Sequence, residues 1–360
     1  MIKKIQKIGK DLSIDQEIAL PADAVVLPGF IDEHIHGAGG SDAMDGTVKD
    51  LKIIADTVAK EGTTTFLATT MTQSKENILK SMKAVKEYME NDDGTGARIG
   101  GIHLEGPFIA AKFKGAQPLE YVVEPDKATF DEYNQASGNN IKIVSMAPEV
   151  EGALDFIKHL ESKGVVASVG HTAAGYEDIA KGVEAGLKNV THTYNAQSPL
   201  HHREIGTVGS AMLIDQLNCE MIADTIHVSV PAMQLLVKNK SLDKLTLITD
   251  AMRAKGLGDG VSELGGQTVY VKGNEARLAD GVLAGSILRM NRAIQNVVEK
   301  VKVPLEQAVD YATINPARTL GISDTVGSIK EGKNADLTVL NGNFDVLYTI
   351  RDGEIIYKQD

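Results

Sequence analysis

The sequence predicts an α/β protein: a (β/α)8 TIM barrel carrying a small β-sandwich domain built from both termini. Three observations lead there. Strand-like apolar runs alternate with helix-period segments through the middle of the chain; those runs number eight; and both ends are rich in strand and turn signals.

Residues 1–24 alternate loosely between apolar and polar and then meet Pro21, which reads as short strands too few to bury a core alone. Val25–Ile35, VVLPGFIDEHI, is the first long strand-like run. Thr63–Ala68, Ile99–Leu104, Ile141–Met146, Val165–Val169, Asn189–Thr193, Cys219–Ala223 and Leu245–Thr249 supply the other seven. Helical periodicity lies between most of them, over Val48–Lys60, Lys75–Glu90, Asp126–Ser137, Gly152–Lys163, Tyr176–Ala185 and Pro231–Asn239. Eight such units over about 250 residues suit a closed parallel barrel. A doubly wound open sheet is the rival, but no Gly-x-Gly-x-x-Gly turn follows a first strand.

After the eighth strand, Gly256–Gly285 is glycine-rich and contains the hairpin-like QTVYVKGNEARLADG. It reads as an insertion before two last helices, Ile287–Lys300 and Leu305–Ala312, the second preceded by Pro304. Leu337–Leu340, Val346–Ile350 and Glu354–Lys358 are strand-like, with Asn341-Gly342 and Asp352-Gly353 as turns. The expected division is residues 1–27 with 322–360 as the small β domain, and 28–321 as the barrel with its β insertion around 256–285.

The composition narrows the function. A net charge of −12 argues against nucleic acid or an anionic membrane as partner, and means that an anionic substrate needs local cations. There is no Trp and only 4% aromatic residues, so base-stacking platforms are not evident. The N-terminal MIKKIQKIGKDLSID lacks the apolar core of a signal peptide, and no run approaches the ~20 apolar residues of a membrane span. The single cysteine, Cys219, excludes an internal disulfide; it reads as a small buried hydrophobe and fits a cytoplasmic location.

The polar residues at the strand ends carry the chemistry. His34 and His36 lie two apart in an extended run, so their rings project to one side, a ready half-site for a divalent metal. Alone, the pair could equally be a polar strand end. Glu105 follows the third strand in HLEGPF, His171 the fifth in SVGHT, His192 ends the sixth in NVTHTYNA, and Asp250 ends the eighth in LITDAM. In a barrel these ends face one pocket whatever their separation in sequence. Singly, each has a bland reading: a core imidazole, a turn carboxylate, a helix cap. Together they point to a metal-dependent active site.

HIHG, HLEGPF, GHT, THTYNA, SPLHHRE and TDAM, in this order, resemble the amidohydrolase superfamily, and within it the N-acetylglucosamine-6-phosphate deacetylases. LAGS at Leu283–Ser286, ATINPA at Ala312–Ala317 and the GxIxxGxxADL pattern at Gly327–Leu337 extend the likeness essentially end to end. The resemblance implies a metal-dependent amidohydrolase barrel that removes the acetyl group of N-acetylglucosamine 6-phosphate. It implies a catalytic metal on Glu105, His171 and His192, with Asp250 as general base and then acid. Because His34 and His36 are kept here, one or two divalent metals per subunit are expected, with Glu105 in a bridging role. Zinc and iron rank ahead of manganese and cobalt.

The same resemblance assigns substrate contact to Ala116, Gln117, Asn195, Ala196, His227, Leu283, Ala284 and Gly285. It gives phosphate contact to Arg203, reaching into the neighbouring subunit of a homodimer. A guanidinium fork suits phosphate oxygens. The expected partner is therefore a small phosphorylated amino sugar. His103 reads as support for Glu105, His201 and His202 either as residues backing the site or as loop residues, and His159, in mid-helix, as surface. Two departures stand out: Gln117 replaces a usual His near the acetyl carbonyl, and Thr225 a usual Gly beside His227. They leave the reaction type in place and the sugar open, so an N-acetylgalactosamine 6-phosphate deacetylase or another amidohydrolase is the alternative. A non-catalytic scaffold of the same fold is the remote one.

Overall fold

The structure, a computed structural model, describes residues 1–2 and 17–359. Eight parallel strands make one sheet in which every neighbour in space is also the neighbour in sequence. They are Phe30–Ile35, Thr63–Thr69, Arg98–Glu105, Ile141–Met146, Val166–Val169, Leu187–Val190, Asn218–Ile222 and Leu245–Ile248. The sheet rolls up so that the eighth strand returns to the first. No regular ladder joins these two; the seam is held by Asp250 N–H on the His34 carbonyl at 2.8 Å and His36 N–H on the Ala251 carbonyl at 2.9 Å. Thr249 Oγ1 donates to Asp32 Oδ2 at 2.5 Å across the same seam.

Helices cover the outside, each placed by local chemistry. Thr47, Ser74 and Asp126 cap Val48–Ala59, Lys75–Glu90 and Lys127–Ala136 by accepting the N–H three residues on. Helix Val48–Ala59 buries Leu51, Ile54, Ala55 and Val58, the inward stripe that its three- and four-residue spacing provides. Two helices lie outside the sequence expectation. Gly206–Leu213 is buried on every side but Leu213, so it has no polar face to mark a helical period. Ile314–Thr319 is six residues long and contains Pro316.

The run Val25–Ile35 is not one strand. Val25–Pro28 pairs antiparallel with Leu337–Leu340, in a four-stranded sheet completed by Val346–Arg351 and Glu354–Lys358, and only Phe30–Ile35 enters the barrel. The break falls at Gly29, where a Cβ would stand 2.2 Å from Thr64 Oγ1. The unbroken apolar pattern hid it. Of the short strands expected over residues 1–24, those in residues 3–16 lie outside the described residues, and residues 17–24 form a turn and no strand before Val25.

The terminal sheet sits on the end of the barrel where strands begin. Thr338 Oγ1 donates to Gly62 O at 2.5 Å, just before the second strand, and Arg98 Nη1 at the start of the third reaches Asp336 Oδ2 at 2.9 Å. That leaves the strand C-terminal ends open on the far face. There the insertion forms three antiparallel strands, Gly260–Leu264, Gln267–Lys272 and Glu275–Leu278, one more than the expected hairpin. Leu264, Val269, Val271 and Ala276 pack on Met71, Met252 and Ala284, fixing it beside the mouth.

Candidate metal centre

Site residues occupy the ends of the strands because the backbone turns there. His171, His192 and Asp250 follow their strands with φ of 48°, 32° and 48°, in the left-handed region that a strand cannot continue through. This is also why the sixth strand stops at Val190 and does not run to Thr193 as its apolar pattern suggests.

Glu105 is the hub. Its Oε1 lies 3.0 Å from His192 Nε2, 3.3 Å from His171 Nε2 and 3.4 Å from His34 Nε2, and its Oε2 lies 3.3 Å from His36 Nε2. Asp250 Oδ1 stands 3.2 Å from His36 Nε2 and 3.5 Å from His34 Nε2. Two groups of potential ligand atoms, each within 4.8 Å, result: Glu105, His171 and His192; and His34, His36 and Asp250. Imidazoles with carboxylates are the donor set of a first-row divalent cation. The fit is supported by Nε2 of His34, which is buried and accepts or donates no hydrogen bond.

The electrostatics agree. Burial works against charge on Glu105, but His34, His171, His192 and His36 around it hold its carboxyl well below the usual range. Asp250 is likewise opposed by burial and yet brought down to about 2 by His34 and His36. Both are therefore anions at neutral pH. His34 moves the other way: burial disfavours its charge, and Asp250, Glu105 and Glu220 outweigh that, raising it to about 9 when no cation is bound.

The centre floors a cavity of about 450 Å³ lined by His36, Glu105, His171, His192 and Asp250, with Ala116, Gln117, Asn195, Ala196, His227, Leu283 and Gly285 around it. His34 and Ala284 lie beneath it, fully buried. Arg203 is elsewhere: its guanidinium meets His202 Nε2 at 2.7 Å and borders a separate cavity with Gly175, Tyr176 and Glu204. Within one chain the cations on the main cavity are Lys112 and Arg277, neither singled out from the sequence. Arg277 is oriented by Glu275 Oε2 and the Gly281 carbonyl, both at 2.7 Å.

The other residues named from the sequence have partners of their own. Gln117 donates Nε2–H to Glu105 Oε2 at 2.6 Å and accepts Thr72 N–H at 2.8 Å, so its amide braces Glu105. His103 does not touch Glu105; its ring packs edge-on against His34, with centroids 4.5 Å apart. Burial and the neighbouring His34 hold His103 neutral, down to about 4. His159 is half-buried, its Nε2 on Asp131 at 2.8 Å. His201 and His202 are exposed loop residues. His227 has Nδ1 on Asp224 Oδ2 at 2.6 Å, which leaves its Nε2 as the free ring nitrogen. Thr225 beside it adopts φ 68°.

Below the centre the barrel interior is polar. Asp32, His103, Ser145, Ser168, Asn189, Thr191 and Glu220 are fully or almost fully buried there and hydrogen-bonded, where barrels of this class are more often filled by branched apolar side chains. Of these, sequence reasoning singled out His103 alone and passed over Glu220 with the rest. In NCEMI a glutamate between Cys219 and Met221 looks the same whether it faces solvent or the barrel axis.

Comparison with known proteins agrees with this geometry. The sequence profile of the amidohydrolase family matches residues 25–356. An N-acetylglucosamine-6-phosphate deacetylase of Bacillus subtilis (strain 168) is 44% identical over 344 residues, 95% of this chain and 87% of that protein. An N-acetylgalactosamine-6-phosphate deacetylase of Escherichia coli O157:H7 is 37% identical over 325 residues, 90% and 86% of the two chains. The structure of a mutant N-acetyl-D-glucosamine-6-phosphate deacetylase from Mycobacterium smegmatis, in complex with N-acetyl-D-glucosamine-6-phosphate, superposes with a TM-score of 0.89 at 32% identity, covering 93% of this chain and 87% of that one.

Proposed function

Because the chain belongs to the amidohydrolase family, we propose that it hydrolyses the amide of N-acetylglucosamine 6-phosphate to acetate and glucosamine 6-phosphate. The observation that carries this reading is the convergence of His34, His36, His171, His192 and Asp250 on Glu105 at the floor of one cavity. Relatives of this name and a relative's complex with the phosphorylated sugar supply the substrate.

The cation assigned to Glu105, His171 and His192, and a second to His34, His36 and Asp250, would supply Lewis acidity and lower the pKa of a held water. Zinc or iron suits the set best, with manganese or cobalt next. Glu105, facing both groups, keeps them in one frame, and Gln117 fixes the plane of its carboxylate. Asp250, an anion at neutral pH, accepts a proton from the water that attacks the acetyl carbon. It then returns the proton to the sugar nitrogen as the C–N bond breaks, turning a poor amide leaving group into an amine. Asn195, Ala196, His227, Leu283 and Gly285 hold the sugar at the cavity wall, with Ala116 near the acetyl end and Ala284 backing the wall from beneath. Arg203 of a second subunit receives the phosphate in a homodimer. The proposed setting is the cytoplasm, supported by a single buried Cys219. No helix among the described residues is long and apolar enough to cross a membrane.

The experiment is acetate release from N-acetylglucosamine 6-phosphate beside its galacto epimer and the unphosphorylated sugar, with metal measured on the same sample. Preference for the gluco phosphate supports the proposal; no release from it, with metal bound, sinks it. The galacto epimer is the second reading. Gln117 and Thr225 keep it open, and the E. coli relative at 37% identity carries that name.

A further inference from the structure

Glu220 lies in the middle of the seventh barrel strand, fully buried, and the chemistry above makes no use of it. Three donors converge on its carboxylate. His34 Nδ1 is 3.0 Å and His192 N 3.1 Å from Oε2, and Asn189 Nδ2 is 2.9 Å from Oε1.

The sense of each bond follows from groups that can only accept. Nδ1 of His103 lies 3.0 Å from the Glu33 carbonyl, so that nitrogen carries the proton. Nε2 of this ring accepts from Ser145 Oγ at 2.6 Å, because the array is fed from its other end by the Asn189 amide nitrogen, which can only donate. Ser145 has no second proton, so Thr191 Oγ1 donates to it at 2.6 Å. Ser168 Oγ donates to Thr191 at 2.6 Å, and Asn189 Nδ2 to Ser168 at 3.0 Å. The other amide proton of Asn189 goes to Glu220. Every proton is placed without conflict, and the carboxylate has only accepting oxygens left for His34.

We propose that Glu220 is a positioning residue that holds His34 with its proton on Nδ1, so that the Nε2 lone pair is directed at a divalent cation shared with His36 and Asp250. His34, His103 and Glu220 themselves stand close enough to suggest a further cation site. Both ring nitrogens of His103 are already bonded, however, so the trio orients and does not ligate. A carboxylate behind a metal-binding imidazole fixes the ring's tautomer and raises its basicity. The inference rests on the two-cation reading above.

The test is equilibrium binding of Zn²⁺ to metal-free wild type and to Glu220→Gln, with bound metal counted per chain. Glutamine cannot satisfy three converging donors, because its NH2 must oppose either Asn189 or His34. Expected is one equivalent bound as in wild type and the other weakened roughly 10–100-fold. Both equivalents bound as in wild type would overturn the proposal, as would equal weakening of both or a wild type that binds only one. Should the variant not fold, ¹⁵N-histidine NMR of zinc-loaded wild type decides: a protonated Nδ1 on His34 is expected, and an unprotonated one refutes it. Acetate release by the wild type reports the substrate separately, so the two readings fail independently.

Discussion

Asp250 and His34 meet twice. The backbone N–H of Asp250 bonds the His34 carbonyl at 2.8 Å, and its Oδ1 lies 3.5 Å from the Nε2 of the same residue. The first contact closes the barrel seam and is indifferent to the side chain; the second belongs to the chemistry. Asp250→Asn therefore keeps the seam and removes the proton acceptor. Expected is a fall in kcat of about 10²–10⁴-fold, with an unchanged far-ultraviolet spectrum and the cation on Glu105, His171 and His192 retained. Full turnover in this variant would take Asp250 out of the reaction.

Arg203 does not reach the cavity of its own chain, so its effect should require a second subunit. Arg203→Ala is expected to raise KM for the phosphorylated sugar roughly 10–100-fold, the loss of one charge-assisted contact of about 1.5–3 kcal/mol, and to leave the unphosphorylated sugar unaffected. Steady-state kinetics on both sugars check it. Equal effects on the two would remove the phosphate role.

Thr225 holds φ 68° with a β-branched side chain, a conformation that costs about 1–2 kcal/mol outside glycine. Glycine returns some of that through its freer unfolded chain. Thr225→Gly should stabilise the protein by roughly 0.5–1 kcal/mol, read from denaturant unfolding. A destabilised variant would mean that the threonine side chain contributes contacts outweighing the strain.

Cation binding should release protons. Without a cation His34 sits at about 9, burial being outweighed by Asp250, Glu105 and Glu220, so below that pH a bound cation displaces its proton. Chelation should abolish turnover, and affinity on reloading should weaken as pH falls from 9 to 6. Proton release at pH 7.5, followed with an indicator in weak buffer, measures it directly. Reloading without proton release would show that His34 is not displaced.

The barrel and the six polar residues gathered at its strand ends were legible because they obey two simple periods and one geometric rule: side chains two apart share a face, and parallel strands end on a common rim. His34, Glu105, His171 and Asp250 needed nothing more. What escaped was set by contacts distant in sequence. The kink at Gly29 depends on Thr64, the helix Gly206–Leu213 is hidden by burial on all sides, and Gln117 turns toward Glu105 because Thr72 N–H waits for its carbonyl. Glu220 is the sharpest case. Nothing in Asn218–Ile222 says that two donors from other strands and one from the turn after the sixth will meet there.

The relay from Asn189 to His103 has a direction. The hydroxyl protons follow one order along the bonds, from Ser168 to Thr191 to Ser145 to His103, and the last proton ends on a peptide carbonyl. Reversing the array would require that carbonyl to donate, which it cannot do. The array on the floor of the barrel is therefore locked in one sense: it can brace the groups above it, but its hydroxyls cannot all be turned round.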